Sequence, residues 1–182
     1  MIAFKRIFRY LKGKRRLGLS FPRRSELDFI AYTDSYFGGC CLDRKSTTGG
    51  CQFLGNRLVS WQVKKHTTVS ISTCEAEYIA ASGCSQILWI QLQLRDYGLN
   101  FTCTPVFIDN NATMSITNNP VKHSKTKHIE IRHHFIRDCA KKMLIELVKI
   151  EFDNNLADLF TKAFDITNFD FLINMIRMIN PE

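Results

Sequence analysis

Along residues 2 to 12, "IAFKRIFRYLK", Phe4, Phe8 and Leu11 recur at helical spacing with Ile7 beside them and Lys and Arg opposite. The spacing predicts an amphipathic helix, ended by Gly13 and then by Gly18 and Pro22. "DFIAYTD" (28 to 34) is rich in β-favouring Phe, Ile, Tyr and Thr and predicts a buried strand, broken by Gly38-Gly39. "RKSTTGG" (44 to 50) reads as turn chemistry, and "CQFLGNRLVSWQV" (51 to 63) as a hairpin around Gly55-Asn56. A long helix is expected from about 73 to 97, closed by Gly98. "TPVFID" (104 to 109) predicts a second buried strand ending in an acid, and "NNATMSITNN" (110 to 119) a short helix stopped by Pro120. A basic helix over about 126 to 142, an alternating strand over 144 to 152 and a helix over roughly 155 to 163 complete the core. The tail, 169 to 179, is helical and amphipathic, with no evident role.

Three strands in a meander, then strands reached through helical crossovers, predict an α/β domain with a mixed sheet covered by helices. Crossover handedness places the fourth strand parallel to the first and beside it. Asp34 and Asp109 then end adjacent strands at their carboxyl ends, where open α/β sheets build their sites.

Composition narrows the class. With 182 residues, 45% apolar and 23% charged, the chain suits one soluble globular domain with a real core. No stretch approaches the roughly 18 apolar residues that span a bilayer, so no membrane partner is expected. No signal peptide is read at the N-terminus. Seven cysteines without a C-x-x-C spacing argue against a disulfide framework and a zinc knuckle; most are expected to be small buried hydrophobes in a reducing compartment. The net charge of +8 is concentrated at the start. Residues 1 to 24 hold nine Lys and Arg and no acid, while the remainder holds 16 basic and 17 acidic side chains. Such a block is either a solvated face or a nucleic-acid contact.

Four carboxylates stand out by position: Asp34 and Asp109 at strand ends, Glu77 in the long helix and Asp158 in the last core helix. Singly, each has a plain explanation as a turn or surface residue. Converging carboxylates repel and raise one another's pKa, and a hard cation such as magnesium or manganese relieves this. Two such ions roughly 4 Å apart would activate a water and stabilise a departing oxygen, a two-metal phosphodiester hydrolysis. Within the long helix, Ser72 and Glu75 form S-x-x-E, a capping box. Glu75 falls on a largely polar stripe with Tyr78, Ser82, Gln86 and Gln93; Glu77 falls with Ala81, Cys84, Leu88 and Leu92 on the face expected to meet the sheet. One glutamate starts the helix and the other is a metal-ligand candidate. His123, His128, His133 and His134 have spacings that fit no known zinc motif, which leaves phosphate contact or a solvated helix face. Trp61 and Trp89 are expected to be core aromatics.

The segments "YTD" (32 to 34), "DRKSTTGG" (43 to 50), "LVSW" (58 to 61), "STCEAEYIA" (72 to 80), "IDN" (108 to 110), "NPVKHSKTKHIEIRHHFIRD" (119 to 138) and "LADLFTK" (156 to 162) occur in a distinctive order. Together they resemble the ribonuclease H domain of Copia-type retrotransposon Pol polyproteins, most like those of plants. "FKRIFRYLKG" resembles the end of the preceding reverse-transcriptase connection. The resemblance implies a ribonuclease H-like fold with sheet order 3-2-1-4-5 and cleavage of the RNA strand of RNA–DNA hybrids. It implies catalytic and metal-binding roles for Asp34, Glu77, Asp109 and Asp158, with Mg2+ or Mn2+ as cofactor. Asn154 with Asp158 resembles the wider pattern in which the acid begins the final helix. The implied nucleic-acid contacts are Arg44, Lys45, Ser46, Lys122, His123, Ser124, Lys125, Thr126, Lys127, His128, Arg132, His133 and His134. Implied partners are the hybrid and the rest of the Pol polyprotein, including reverse transcriptase. The expected location is cytoplasmic, within a virus-like particle of an active element, or nuclear. The domain plan is a basic arm over 1 to 24, a ribonuclease H-like domain over 25 to 164 and a tail over 165 to 182.

Three positions depart from the family pattern. Tyr36 stands where an acid is usual, Met143 where a glycine commonly precedes the fifth strand, and Ala163 where proline is usual. Met143 deprives that turn of its easy left-handed residue. These departures keep three readings open: a metal-dependent ribonuclease H, a catalytically decayed nucleic-acid-binding remnant, and a merely structural piece of a polyprotein.

Overall fold

The computed structural model describes residues 2–24, 26–118 and 135–180. Its centre is a five-stranded sheet made of β2 (Phe29–Tyr36), β3 (Thr47–Leu54), β4 (Arg57–Lys65), β5 (Thr104–Ile108) and β6 (Ile145–Lys149), in the order β4-β3-β2-β5-β6. Counted within this sheet, that is 3-2-1-4-5. The meander β2-β3-β4 is antiparallel, with Gly55 at φ +59 opening the two-residue turn as in a II′ hairpin. β5 runs parallel to β2, with Ala31 beside Val106 and Tyr32 beside Phe107, and β6 runs parallel to β5. The expected mixed α/β sheet is therefore present. The 44 to 50 segment is corrected in part, since Thr47–Gly50 lie within β3 rather than in a turn.

One sheet face carries α2 (Thr73–Ala81), α3 (Ser85–Asp96), α4 (Asn111–Asn118) and α5 (Phe135–Lys141) over a core that includes Phe29, Tyr78, Ile87, Val106, Ile108, Ile136 and Ile145. The single helix expected over 73 to 97 is broken by a 3-10 turn at Ser82–Cys84, beside Gly83. Of the basic helix expected over about 126 to 142, α5 covers Phe135–Lys141, and residues 126 to 134 lie outside the described residues.

The opposite face is covered by the 3-10 turn Leu156–Phe160 and by α6 (Ile166–Met175), packed around Cys51, Phe53, Leu58, Leu172, Ile173 and Ile176. Among the described residues, the tail thus supplies three of the eight buried residues of a second core, Leu172, Ile173 and Ile176. It ends in β7 (Met178–Ile179), which pairs with β1 (Gly18–Leu19) and ties the two chain ends together. α1 (Ile2–Gly13) has no buried residue, although Tyr10 meets Phe169 edge-on. Cys51, Cys74, Cys84 and Cys139 are buried; Cys40, Cys41 and Cys103 are not. Trp61 and Trp89 are 54% and 56% exposed, which overturns the core assignment. Trp61 sits on edge strand β4 and Trp89 on the outer side of α3, and neither reaches the interior.

Two helix ends share one design. α3 ends with Leu99 N–H donating to Leu94 C=O and Gly98 N–H to Arg95 C=O, with Gly98 at φ +81. α5 ends with Leu144 N–H donating to Cys139 C=O and Met143 N–H to Ala140 C=O, with Met143 at φ +55. Both are Schellman caps, and the second places a side chain where glycine is favoured.

Gly49 of β3 faces the turn that carries Asp158. A Cβ there would lie 2.7 Å from Thr161 Cγ2 and 2.9 Å from the Ala157 carbonyl oxygen. Bare backbone at 49 is what lets this turn settle onto the sheet.

Candidate metal and active site

β2 delivers Asp34 opposite Gly49, and the chain just beyond β5 delivers Asp109. Both point into an open cleft at the carboxyl ends of these parallel neighbours, rimmed by Tyr36, Phe37, Glu77, Asn110, Phe152 and Lys162. α2 brings Glu77 over the same point. Ser72 caps that helix, its Oγ accepting from Glu75 N–H at 3.1 Å, and Glu75 Oε2 accepts from Ile71 N–H at 2.7 Å. The capping box is present, with the glutamate reaching one residue further back than the standard pairing. The polar stripe assigned to Glu75 is corrected at Tyr78, which is fully buried. Small residues let α2 sink between sheet and α4, where Thr113 Oγ1 donates to Cys74 C=O, so little of its surface stays wet.

Asp34 and Glu77 are 1% and 6% exposed, Asp109 is half-buried, and ligand oxygens of the three lie within 4.8 Å of one another. Ser35 N–H donates to Glu77 Oε1 at 3.0 Å, which fixes the carboxylate against the strand. Glu77 Oε2 is buried and has no hydrogen-bond partner. Burial first, then the charges of Asp34 and Asp109, push the Glu77 carboxyl up to about 9. Asp109 is raised too, by burial and then by Asp34.

Asp158 approaches Asp34 from the other side, on the 3-10 turn rather than on the α-helix expected over 155 to 163. Lys162, one turn on, bridges the two acids: Nζ is 3.2 Å from Asp34 Oδ1 and 2.8 Å from Asp158 Oδ2. Thr161 Oγ1 donates to Asp34 Oδ2. Burial and then Asp34 hold the Asp158 carboxyl up at about 7 despite the lysine beside it. Lys162 is depressed by burial, but Asp158 and Asp34 outweigh this and leave it above its ordinary value.

Three of the four predicted acids therefore line one cleft as a cluster, and the fourth, Asp158, is buried behind it and joined to Asp34 through Lys162. The donor set fits a hard divalent cation: all-oxygen, strongly anionic, with the buried Glu77 Oε2 unsatisfied. Asn155 rather than Asn154 anchors Asp158's turn. It is fully buried, its Oδ1 accepting from Ala157 N–H and its Nδ2 donating to Thr33 C=O. Lys162 and Thr161 were visible in "LADLFTK" but carried no signal of their own; only the i, i+4 spacing from Asp158 to Lys162 pointed to a pair.

Among the expected nucleic-acid contacts, Arg44 is exposed and Lys45 half-buried in the loop joining β2 to β3. Ser46 is fully buried and its Oγ accepts from Gly38 N–H, so its hydroxyl holds the loop instead of facing outward. Lys122, His123, Ser124, Lys125, Thr126, Lys127, His128, Arg132, His133 and His134 lie outside the described residues. His66, not singled out by sequence, is buried with Nε2 2.7 Å from Thr48 Oγ1.

No protein-family model matches the chain. It is 37% identical over 169 residues (92% of its length) to the Retrovirus-related Pol polyprotein from transposon RE1 of Arabidopsis thaliana. It is 32% identical over 177 residues (97% of its length) to the corresponding polyprotein from transposon TNT 1-94 of Nicotiana tabacum. The chain is homologous to a segment of plant Copia-type Pol polyproteins. It spans 12% and 13% of the length of these two relatives. Among solved structures, the N-terminal RNase H domain of Rv2228c from Mycobacterium tuberculosis superposes with a TM-score of 0.53 at 13% identity, covering 81% of this chain and 97% of that chain. LC11-RNase H1 in complex with RNA/DNA hybrid superposes at 0.50 with 15% identity, covering 74% and 94%. The fold is ribonuclease H-like. Among the described residues, no helix is long and apolar enough to cross a membrane.

Proposed function

We propose that this Pol segment is a divalent-metal-dependent ribonuclease H that hydrolyses the RNA strand of RNA–DNA hybrids during reverse transcription. The observation that carries the reading is the convergence of Asp34, Glu77 and Asp109 within 4.8 Å at the carboxyl ends of adjacent strands. Asp34, Glu77, Asp109 and Asp158 would hold Mg2+ or Mn2+. When bound, such ions supply Lewis acidity, activating a water and stabilising the departing oxygen in phosphodiester cleavage. Asp34 lies between the two sides of the cluster and faces both. Ser35 N–H fixes one oxygen of Glu77 and leaves the other, buried, without a hydrogen-bond partner. Lys162 offsets part of the negative charge and holds Asp158 in place. Tyr36 and Phe37 form an aromatic rim beside the acids.

The substrate class is supported by the neighbour bound to an RNA/DNA hybrid and by descent from Pol. Arg44 and Lys45, with the basic segment from Lys122 to His134, are the proposed backbone contacts, and the rest of the polyprotein is the proposed assembly partner. The second reading, a binding remnant without cleavage, draws on Tyr36, which is half exposed in the cleft where the family carries an acid. Incubation of a strand-labelled hybrid with the chain and Mg2+ separates the two. RNA-strand cleavage that stops with EDTA and with Asp34→Asn or Asp109→Asn supports the nuclease. Binding without any cleavage in Mg2+ or Mn2+ assigns the chain to the remnant reading.

A further inference from the structure

The four acids are not equivalently provided for. On one side, Asp34, Glu77 and Asp109 bring oxygens within 4.8 Å of one another, and the buried Glu77 Oε2 has no partner. On the other, the gap between Asp34 and Asp158 already contains a positive charge: Lys162 Nζ, 3.2 Å from Asp34 Oδ1 and 2.8 Å from Asp158 Oδ2. Lys162 is well held there. Its backbone N–H donates to Asp158 C=O at 2.9 Å, and its Nζ lies 4.2 Å from the centre of the Phe152 ring, a cation–π contact.

Resting on the metal-site reading above, we propose that Lys162 is a resident cation of this site. Its ammonium fills the Asp34–Asp158 side, so that the free protein takes one divalent ion, at Asp34, Glu77 and Asp109. Charge supports the same division. With four ionised carboxylates, Lys162 and one divalent ion leave a single negative charge uncompensated. A second divalent ion would turn the cluster net positive, until a phosphodiester brings its own negative charge. Lys162 is therefore a positioning and selectivity residue: it sets how many ions the site holds before nucleic acid arrives. One oxygen of Asp158, Oδ1, is buried without a partner, ready to bind once the lysine withdraws.

Titrating the full chain with Mn2+, followed by calorimetry and by the EPR signal of the free ion, tests this without reference to cleavage. The parent is expected to bind one tight ion, lost in Asp109→Asn and kept in Asp158→Asn. Lys162→Met is expected to bind a second ion at least about tenfold more tightly than the parent does, because an opposing charge a few ångströms away is gone. Lys162→Arg is expected to keep one. Two ions of similar affinity in the parent, or a Lys162→Met variant that titrates like the parent, would overturn the proposal. If Lys162→Met does not fold, Asp158→Asn decides, and loss of the tight ion there overturns it. Mn2+ binding by none of the proteins removes the metal-site reading and this proposal together. Mg2+-dependent cleavage by a parent that binds two equivalent ions removes this proposal alone.

Discussion

Glu75 and Glu77 stand two residues apart on one helix and meet opposite surroundings. Glu75 turns back along the chain and accepts from Ile71 N–H beside the Ser72 cap, at the partly wet start of α2. Glu77 turns about 200° around the helix, against the central strand β2, with one oxygen bound to Ser35 N–H and the other bare beside Asp34 and Asp109. The first carboxylate satisfies the helix; the second, when ionised, carries an electrostatic cost that a bound proton or a divalent cation relieves. Side chains of identical chemistry are divided between a helix cap and an acidic cluster by position alone.

The sharpest way to break this comparison is to neutralise Glu77. Glu77→Gln keeps the shape and the Ser35 contact but removes the charge a divalent ion needs, so Mg2+-dependent cleavage of a labelled hybrid is expected to vanish. Folding is expected to survive, with a melting temperature in EDTA unchanged near neutral pH and raised toward pH 9, since glutamine resembles the protonated Glu77 and cannot ionise. Retained cleavage would sink the assignment of Glu77.

A smaller effect lies in pH. Burial holds the Glu77 carboxyl at about 9 against an ordinary 4.5, so the folded chain binds this proton more tightly than the unfolded chain does. The stability linked to that proton is fully present below about pH 4.5 and is lost as pH rises toward 9. In divalent-free buffer the parent's melting temperature is expected to fall across that window. Glu77→Gln is expected to flatten the fall, leaving the parts due to Asp109, which is also raised, and to Asp158, which ends near its value of about 7. Parallel melting curves against pH for parent and variant would contradict the burial account.

Smallest are the capping variants. Glu75→Ala and Ser72→Ala each remove one side of the same box, and each is expected to cost about 1 kcal/mol or less in urea unfolding. The double variant is expected to cost less than the sum, and hybrid cleavage to proceed near the parental rate in all three. Cleavage lost in Glu75→Ala but kept in Glu77→Gln would reverse the two roles.

Much of this was legible in the residues. Strand chemistry and crossover handedness placed β5 beside β2 and so brought Asp34 to Asp109, because sheet topology obeys rules that short patterns reveal. Met143 was legible for a backbone reason: a helix ending just before a strand needs a left-handed residue, and the structure puts Met143 at φ +55. Periodicity failed where packing is crowded or absent. Tyr78 joined a polar stripe on a helical projection, yet α2 is enclosed on nearly all sides, so no stripe stays wet. Trp61 and Trp89 looked like core by size, but local pattern does not tell an edge strand from a central one. The tail's role was illegible because its partners, Cys51, Phe53 and Leu58, lie more than 100 residues away. Lys162 and Asn155 were missed for a related reason, since each acts across the fold on β2.

Gly49 carries a consequence for the descent of such sequences. The place of the fourth acid is set on a strand that carries no acid at all, by the absence of a methyl group 2.7 Å from Thr161. A copy released from selection can keep Asp34, Glu77, Asp109 and Asp158 intact and still lose their alignment through one substitution at 49. Counting surviving carboxylates alone therefore overlooks this position, and the glycine opposite Asp34 belongs in the count beside the acids.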